Sequence, residues 1–329
     1  MATTASPIPS SSNDCWTIRT PTCTCVRPSR PSPTETNVAE VRVIREVDPS
    51  AQIAPDAIIG SHCVIGPAVT IGPGTVLEQS VTVVGSTTIG SGNLIGEGCV
   101  LGEIPQDLKY VGGDTLLIIG HRNRLGQRVT VHIGTEVGGY LTRIGDDNTL
   151  EADSHVAHDC YVDDRTFLGV NALIAGHVRV ETGAIVGADS GAHHFVTIGR
   201  FARVQPKTPI RRDVPPFTVF QAKSPQAAPS VVGIHEDGLI AAGLSDEEQT
   251  DLRQAMAELF EDEAALQTKI EQLVDLGVEG EVEQLCEFCQ RSLEGKFGRN
   301  RERFRGKLPP EAEQFLTPEQ LADARRAVL

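Results

Sequence analysis

An aliphatic residue recurs every six positions along most of this chain, and that period narrows the possible folds more than any other feature. Anchors stand at Val47, Ile53, Ile59, Ile65, Ile71, Leu77, Val83, Ile89, Ile95 and Leu101. The register lapses across Gly102 to Thr115, returns at Ile119, Leu125, Val131 and Val137, and slips by one residue. It then runs from Ile144 to Val204, broken only by Ala192. A helix needs apolar spacing near 3.6 and an alternating strand needs two, so neither fits. Hexads describe the flat faces of a triangular coil, with three hexads, or about 18 residues, per turn. Stacked coils repeat at roughly 4.7–4.9 Å and bury their anchors against one another. Small or β-branched residues four places after most anchors, such as Cys63, Thr75, Ser154 and Cys160, fit the remaining inward slot. The expected fold is therefore mainly β, a parallel β-helix. Its aliphatic stack needs few large rings, and aromatics make up only 4% of the chain.

The expected organisation has four parts. Residues 1–38 are rich in Ser, Thr and Pro and lack the apolar segment of a secretory signal, so they are read as a disordered tail. A transit peptide is the alternative, since Arg19, Arg27 and Arg30 stand among few acids. Residues 39–210 form the solenoid and 211–245 a connector. Residues 246–329 are expected to be an α-helical domain covering the open end. Ser245 is its candidate N-cap, and Leu252, Met256, Leu259 and Phe260 follow at helical spacing. Within this part, Lys296, Arg299, Arg301, Arg303, Arg305 and Lys307 crowd together as either a solvated loop or a docking patch.

The net charge of -15 argues against nucleic acid and anionic membranes as partners, because both reward a basic face. No apolar run approaches the roughly 18–20 residues of a membrane-spanning helix. Eight cysteines without framework spacing suit a reducing, cytoplasmic setting. The Cys286–Cys289 pair has no second pair to complete a metal site.

The stretch S-H-V-A-H-D-C, Ser154 to Cys160, interrupts this monotony. None of His155, His158, His177, His193 and His194 falls on an inward slot. The 18-residue period stacks His158, Gly176 and His194 on successive coils, with Asp159 and His177 one place along, and puts His155 and His193 near the same corner. Zinc would need three or four ligands converging at about 2.0–2.3 Å, closer than stacked coils approach. Acid–base chemistry needs only an imidazole with a carboxylate that fixes its tautomer. Asp159 adjoins His158, yet neighbours on a strand point apart, so the two could pair only at a turn. Cys160 occupies an inward slot and is read as packing.

These residues, with A-G-H-V at Ala175–Val178, A-H-H-F at Ala192–Phe195, I-P-Q-D-L-K-Y at Ile104–Tyr110 and D-V-P-P-F at Asp213–Phe217, resemble the UDP-N-acetylglucosamine 3-O-acyltransferase family, which opens lipid A synthesis. The likeness runs in order from about residue 47 to 260. It implies a left-handed β-helix, a homotrimer with sites between subunits, and acyl carrier protein and a UDP-amino sugar as partners, with no cofactor or metal. It casts His158 as general base on the sugar 3-hydroxyl, Asp159 as its support, and the Gly176 N–H as oxyanion donor. His155, His177, His193 and His194 would line the substrate sites, and Gln106, Asp107 and Lys109 would reach substrate from the loop that interrupts the solenoid.

Three departures from the pattern stand out. His194 replaces a glutamine, and His132-Ile133-Gly134-Thr135 replaces H-R-G-T. The family's N-x-x-G-L-x-R-R-G, which binds nucleotide and acyl carrier, reads His235 to Gly243 here, with Ala241 and Ala242 in place of two arginines. Loss of that pair removes strong charge-assisted bonds. Two further readings therefore stay open: a paralogue acylating another UDP-amino sugar, and a non-catalytic subunit that binds nucleotide sugar or acyl carrier.

Overall fold

The computed structural model describes residues 46–222, 224, 227–260 and 265–327. The tail expected over residues 1–38 lies outside them. Short parallel strands form three sheets, which are the three faces of a left-handed parallel β-helix. The first face has nine strands, from Glu46–Val47 to Pro209–Ile210. The second has eight, from Gln52–Ile53 to Thr197–Ile198. The third has ten and closes with Thr218–Gln221 and the antiparallel strand Ser230–Ile234. The anchors fill the interior: Ile65, Leu101, Leu125, Val156, Ile174 and Val204 are at most 2% exposed. Each such side chain contributes about 1.5–3 kcal/mol relative to exposure.

Corners turn by placing one residue in the left-handed region, and in the lower coils these recur every six positions, at Asp153, Asp159, Arg165, Asn171 and His177. None of these is β-branched, as that conformation requires.

Most coils hold eighteen residues, so that His155 pairs with Leu173 and Leu173 with Gly191. Two coils are longer. Ser86 pairs with Leu116, thirty residues on, and Thr130 with His155, twenty-five on. The one-residue slip in the hexad register is thus a seven-residue insertion, and Val137 lies in its loop instead of anchoring a strand. The loops that hold the insertions, residues 104–115 and 133–140, leave at the corner between the first and second faces. The turns 157–160, 175–178 and 193–196 lie on the same corner.

Helix α1 (Glu236–Ala241) follows the last strand. Helices α2 (Asp246–Phe260), α3 (Leu266–Asp275) and α4 (Gly280–Glu294) pack with Phe201 and Phe217 of the final coils in a second core. Ser245 caps α2 as expected: its hydroxyl receives the Glu248 N–H at 3.3 Å and donates to the Glu248 carboxylate at 2.7 Å. Beyond α4, residues 296–304 make two 3-10 turns, and α5 (Pro310–Glu313) and α6 (Pro318–Ala327) follow. This strap returns to the first corner, where Pro309 meets Gly139, and then places Ala312 and Leu316 against Tyr140, Leu141 and Tyr161. Among the described residues no helix is long and apolar enough to cross a membrane.

A polar ladder unforeseen in the hexad pattern runs inside the solenoid. Asn93, Asn123 and Asn148 occupy inward slots on successive coils. Asn123 donates to Asn93 Oδ1 at 3.0 Å and to the Gly145 carbonyl at 2.8 Å, and its Oδ1 receives the Asn148 N–H at 2.9 Å. Removing the middle rung strands buried partners at a cost of about 1–3 kcal/mol each. Asn123→Ala should therefore lower the thermal midpoint by the equivalent of at least about 2 kcal/mol. Thermal melts measure this, and an unchanged midpoint would mean that the ladder contributes nothing net.

Candidate active site

The first corner gathers His132, His155, His158, Asp159, Gly176 and His177. Asp159 takes the left-handed turn position, with φ of 58°, and that turn lets adjacent residues pair. His158 Nδ1 lies 2.7 Å from Asp159 Oδ2. The same carboxylate accepts the Thr135 backbone N–H at 2.8 Å and its hydroxyl at 2.7 Å, both from the seven-residue insertion. Asp159's own N–H donates to Thr142 Oγ1 at 2.8 Å. Asp159 is fully buried and His158 is 5% exposed. An acid so enclosed is tolerable because its oxygens are occupied by donors. A carboxylate that accepts from Thr135 also accepts the Nδ1–H of His158, which leaves Nε2 with the free lone pair.

That ring lies against Gly176. A methyl group built at Gly176 would fall 2.6 Å from His158 Cε1 and 2.7 Å from Nε2, and the glycine's backbone angles are otherwise ordinary. Glycine is thus needed here for space. The Gly176 N–H makes no hydrogen bond to the described residues, so a free donor sits beside a free imidazole nitrogen. The predicted stacking holds: His177 N–H donates to the His158 carbonyl, and Phe195 N–H to that of Gly176.

Neighbouring histidines enclose the pair. His177 meets His158 edge-on at 5.1 Å, approaches Asp159 at 3.7 Å and stacks on Phe195 at 4.3 Å. His155 shares a 2.7 Å hydrogen bond with Thr130 and meets His132 at 5.2 Å. Burial pushes His155 and His177 down to about 4; the other histidines reinforce this, and Asp159 opposes it at His177. Burial also lowers His132 and His194. These four imidazoles are therefore mainly neutral at physiological pH. His193 and His194 are exposed, one coil below Gly176, with rings 5.3 Å apart.

The 104–115 loop reaches this group through His132, whose Nδ1 is 2.6 Å from the Ile104 carbonyl. The side chains of Gln106 and Lys109 are exposed, and Asp107 holds the loop by accepting the Lys109 N–H at 2.9 Å. The structure does not bring these three into contact with the histidines. His132 and Thr135 are the site residues that the period missed. They lie on the 25-residue coil, so a spacing of eighteen does not align them with His155 and Asp159. Cys160 is buried, with its thiol pushed up to about 12, as packing requires.

His158, Asp159 and His177 are the one group of potential metal ligands among the described residues, with ligand atoms within 4.8 Å. Two of those atoms already bond each other, and Thr135 fills the carboxylate, so the arrangement is a hydrogen-bonded one.

The basic run 296–307 does not form one free face. Arg299 and Arg301 are 6% and 4% exposed. Arg299 pairs with Glu302 at 2.7 Å, Arg301 with Glu311 at 2.8 Å, and Arg305 with Glu302 at 2.9 Å. Buried guanidinium groups require such partners. Arg301 also donates to the His177 carbonyl at 2.9 Å, and Arg305 lies over the Phe195 ring at 4.3 Å, so the run braces the site from behind.

The solenoid and its imidazole–carboxylate corner define a hexapeptide-repeat protein of the transferase type, and similarity to known proteins is more specific. Residues 213–296 match the family described as Udp N-acetylglucosamine O-acyltransferase, domain 2. The acyl-[acyl-carrier-protein]–UDP-N-acetylglucosamine O-acyltransferase of Paracoccus denitrificans is 46% identical over 157 residues, 48% of this chain and 59% of the relative. The chain thus spans about six tenths of that curated relative's length. The solved structure of LpxA from Acinetobacter baumannii is 36% identical, with a TM-score of 0.68, covering 74% of this chain and 93% of that one. UDP-N-acetylglucosamine O-acyltransferase from Moraxella catarrhalis is 33% identical with the same TM-score and coverage. The chain belongs to the UDP-N-acetylglucosamine O-acyltransferase family.

The lowered histidines give stability a pH dependence. The folded chain keeps His177 neutral down to about pH 4, while the unfolded chain protonates it near 6.5, so the unfolded chain binds more protons between these values. Stability should be full above about pH 6.5 and fall as pH drops towards 4. In His177→Gln the fall in thermal midpoint across that window should be shallower. An unchanged slope would place a protonated His177 in the folded protein.

Proposed function

We propose that this protein transfers an acyl chain from acyl carrier protein to the 3-hydroxyl of UDP-N-acetylglucosamine. The observation that carries the reading is the His158 ring, whose Nδ1 is bonded to buried Asp159 while its Nε2 lies beside the unpartnered Gly176 N–H. His158 Nε2 takes the proton of the sugar hydroxyl as its oxygen attacks the thioester carbonyl. The new C–O bond forms, and negative charge collects on the carbonyl oxygen, where the Gly176 N–H donates to it. Collapse breaks the C–S bond, and the imidazolium returns its proton to the departing thiolate. Asp159 keeps the reactive nitrogen unprotonated and stabilises the imidazolium. His155, His177, His193 and His194 bound the sugar and acyl sites, and Gln106, Asp107 and Lys109 reach substrate from their loop. The assembly is a homotrimer, in which a neighbouring subunit completes the cleft at this corner, and the reaction is the first step of lipid A synthesis in the cytoplasm.

Purified protein should acylate UDP-N-acetylglucosamine from acyl carrier protein. Failure with this sugar and its amino analogues at high enzyme concentration would leave a binding role instead. His158→Ala should reduce kcat by about 10²–10⁴, and, because it removes one of the bonds to buried Asp159, it should also lower the thermal midpoint by the equivalent of about 1–3 kcal/mol while the protein still folds. Substantial activity in that variant would remove His158 from the base's role.

Gly176→Ala tests the contact between base and donor. The added methyl displaces the His158 ring, so kcat should fall by at least about tenfold while KM for the sugar changes little, since a misplaced ring of about 1 Å costs heavily in rate. Wild-type kcat would show that the ring does not rest against Gly176 during turnover.

A further inference from the structure

Below the histidine corner, at the foot of the strap, lies an open groove lined by His193, Arg211, Arg212, Leu293, Phe297 and Arg299. Its charge is one-sided. Arg211 and Arg212 are exposed, and neither pairs with a carboxylate among the described residues. Elsewhere on this strongly acidic chain, exposed arginines such as Arg122, Arg128 and Arg253 hold acidic partners at 2.7 Å. Arg124, Arg165 and Arg303 are also exposed without a carboxylate partner among the described residues, but Arg211 and Arg212 are adjacent in the chain and line one concavity.

The opposite wall is held in place. Asp213 accepts the Thr197 N–H at 2.7 Å and the Asn300 N–H at 2.8 Å, and its own N–H donates to the Gly298 carbonyl at 2.8 Å. These bonds clamp the strap to the coil that carries Arg211 and Arg212. Arg299 reaches across, donating to the Arg211 carbonyl at 3.3 Å and lying 3.1 Å from His193 Nδ1. Phe297 is 67% exposed and sits in the left-handed region with φ of 62°. Lys296 and Arg299 lie over its ring at 5.0 and 5.1 Å. Such a backbone conformation is strained at a non-glycine residue and persists where the surroundings impose it. An apolar ring is thus held out to solvent between cations.

We propose that this groove binds a phosphate ester of a substrate, with the phosphate oxygens on Arg211 and Arg212 and the attached organic group against Phe297 and Leu293. Planar guanidinium groups match phosphate geometry and bind it bidentately. The site rests on the acyl-transfer reading only for the identity of its ligand: both substrates of that reaction carry phosphate, one as a nucleoside diphosphate and the other as phosphopantetheine. Position favours either. His193 lines the groove, its ring meets that of His194, and His194 stands two coils, or roughly 10 Å, from His158. The groove also supplies cations that the Ala241–Ala242 stretch lacks. Its second wall, Phe297 to Arg299, begins where the family match ends, so this wall belongs to the chain's own C-terminal segment.

The test is direct binding of UDP and, separately, of 4′-phosphopantetheine to the full chain by calorimetry. Three proteins are compared: wild type, Arg211→Glu/Arg212→Glu and Arg211→Lys/Arg212→Lys. Both arginines are exposed and unpaired, so the variants should melt with the wild type. The glutamate pair should weaken one of the two ligands at least tenfold and the lysine pair should retain most of that affinity; wild-type binding should also weaken as salt rises. Loss of UDP assigns the groove to the nucleotide, and loss of phosphopantetheine assigns it to the acyl donor. Unchanged affinity for both, or no binding of either to wild type, overturns the proposal. Because binding is read without turnover, a protein that binds through these arginines but transfers no acyl group would sink the proposed reaction and leave the groove standing.

Discussion

Everything at the first corner depends on how one buried carboxylate is satisfied. Asp159 has no exposure to water, and an uncompensated charge there would cost several kcal/mol. It is accommodated because Thr135 donates to it twice and His158 once. Those three bonds explain three otherwise separate features. The left-handed turn at Asp159 brings adjacent side chains together. The seven-residue insertion carries Thr135 to the next coil's carboxylate. Gly138 lacks a side chain because a methyl there would collide with that carboxylate. The histidine gains a fixed orientation and a defined free nitrogen from the same arrangement.

The solenoid was legible in the sequence because its period is a direct image of its geometry. Ile65, Ile174 and Val204 are buried for the reason that placed them six apart. Alignment of His158 with Gly176 and His194 followed from the same count, since these lie on regular coils. The period failed where the coil length changed. Thr135 and His132 sit on the long coil, and Val137 looked like an anchor although it belongs to a loop. The asparagine ladder was hidden for another reason: a hexad template scores apolar residues, while Asn93, Asn123 and Asn148 fill the inward slot by hydrogen bonding to one another.

The C-terminal strap shows the limit of reading charge along a chain. Six cations within twelve residues suggested a surface patch, yet Arg299 and Arg301 turn inward to Glu302 and Glu311. The partners of Arg301, Glu311 and the His177 carbonyl, are near only in space or across a turn that sequence does not announce. Lys296, Arg303 and Lys307 keep no carboxylate partner among the described residues, and neither do Arg211 and Arg212, which drew no notice beside the D-V-P-P-F stretch; only the return of the strap makes a groove around that pair.

Acid–base chemistry at this corner turns on the state of one imidazole. Selective ¹⁵N labelling of histidine, with resonance assignment through His158→Gln, reads the tautomer of His158 from its two ring-nitrogen shifts at neutral pH. Donation to Asp159 predicts a protonated Nδ1 and an unprotonated, pyridine-like Nε2. A proton on Nε2, with Nδ1 bare, would contradict it, because the nitrogen beside Gly176 could not then accept a proton from a hydroxyl.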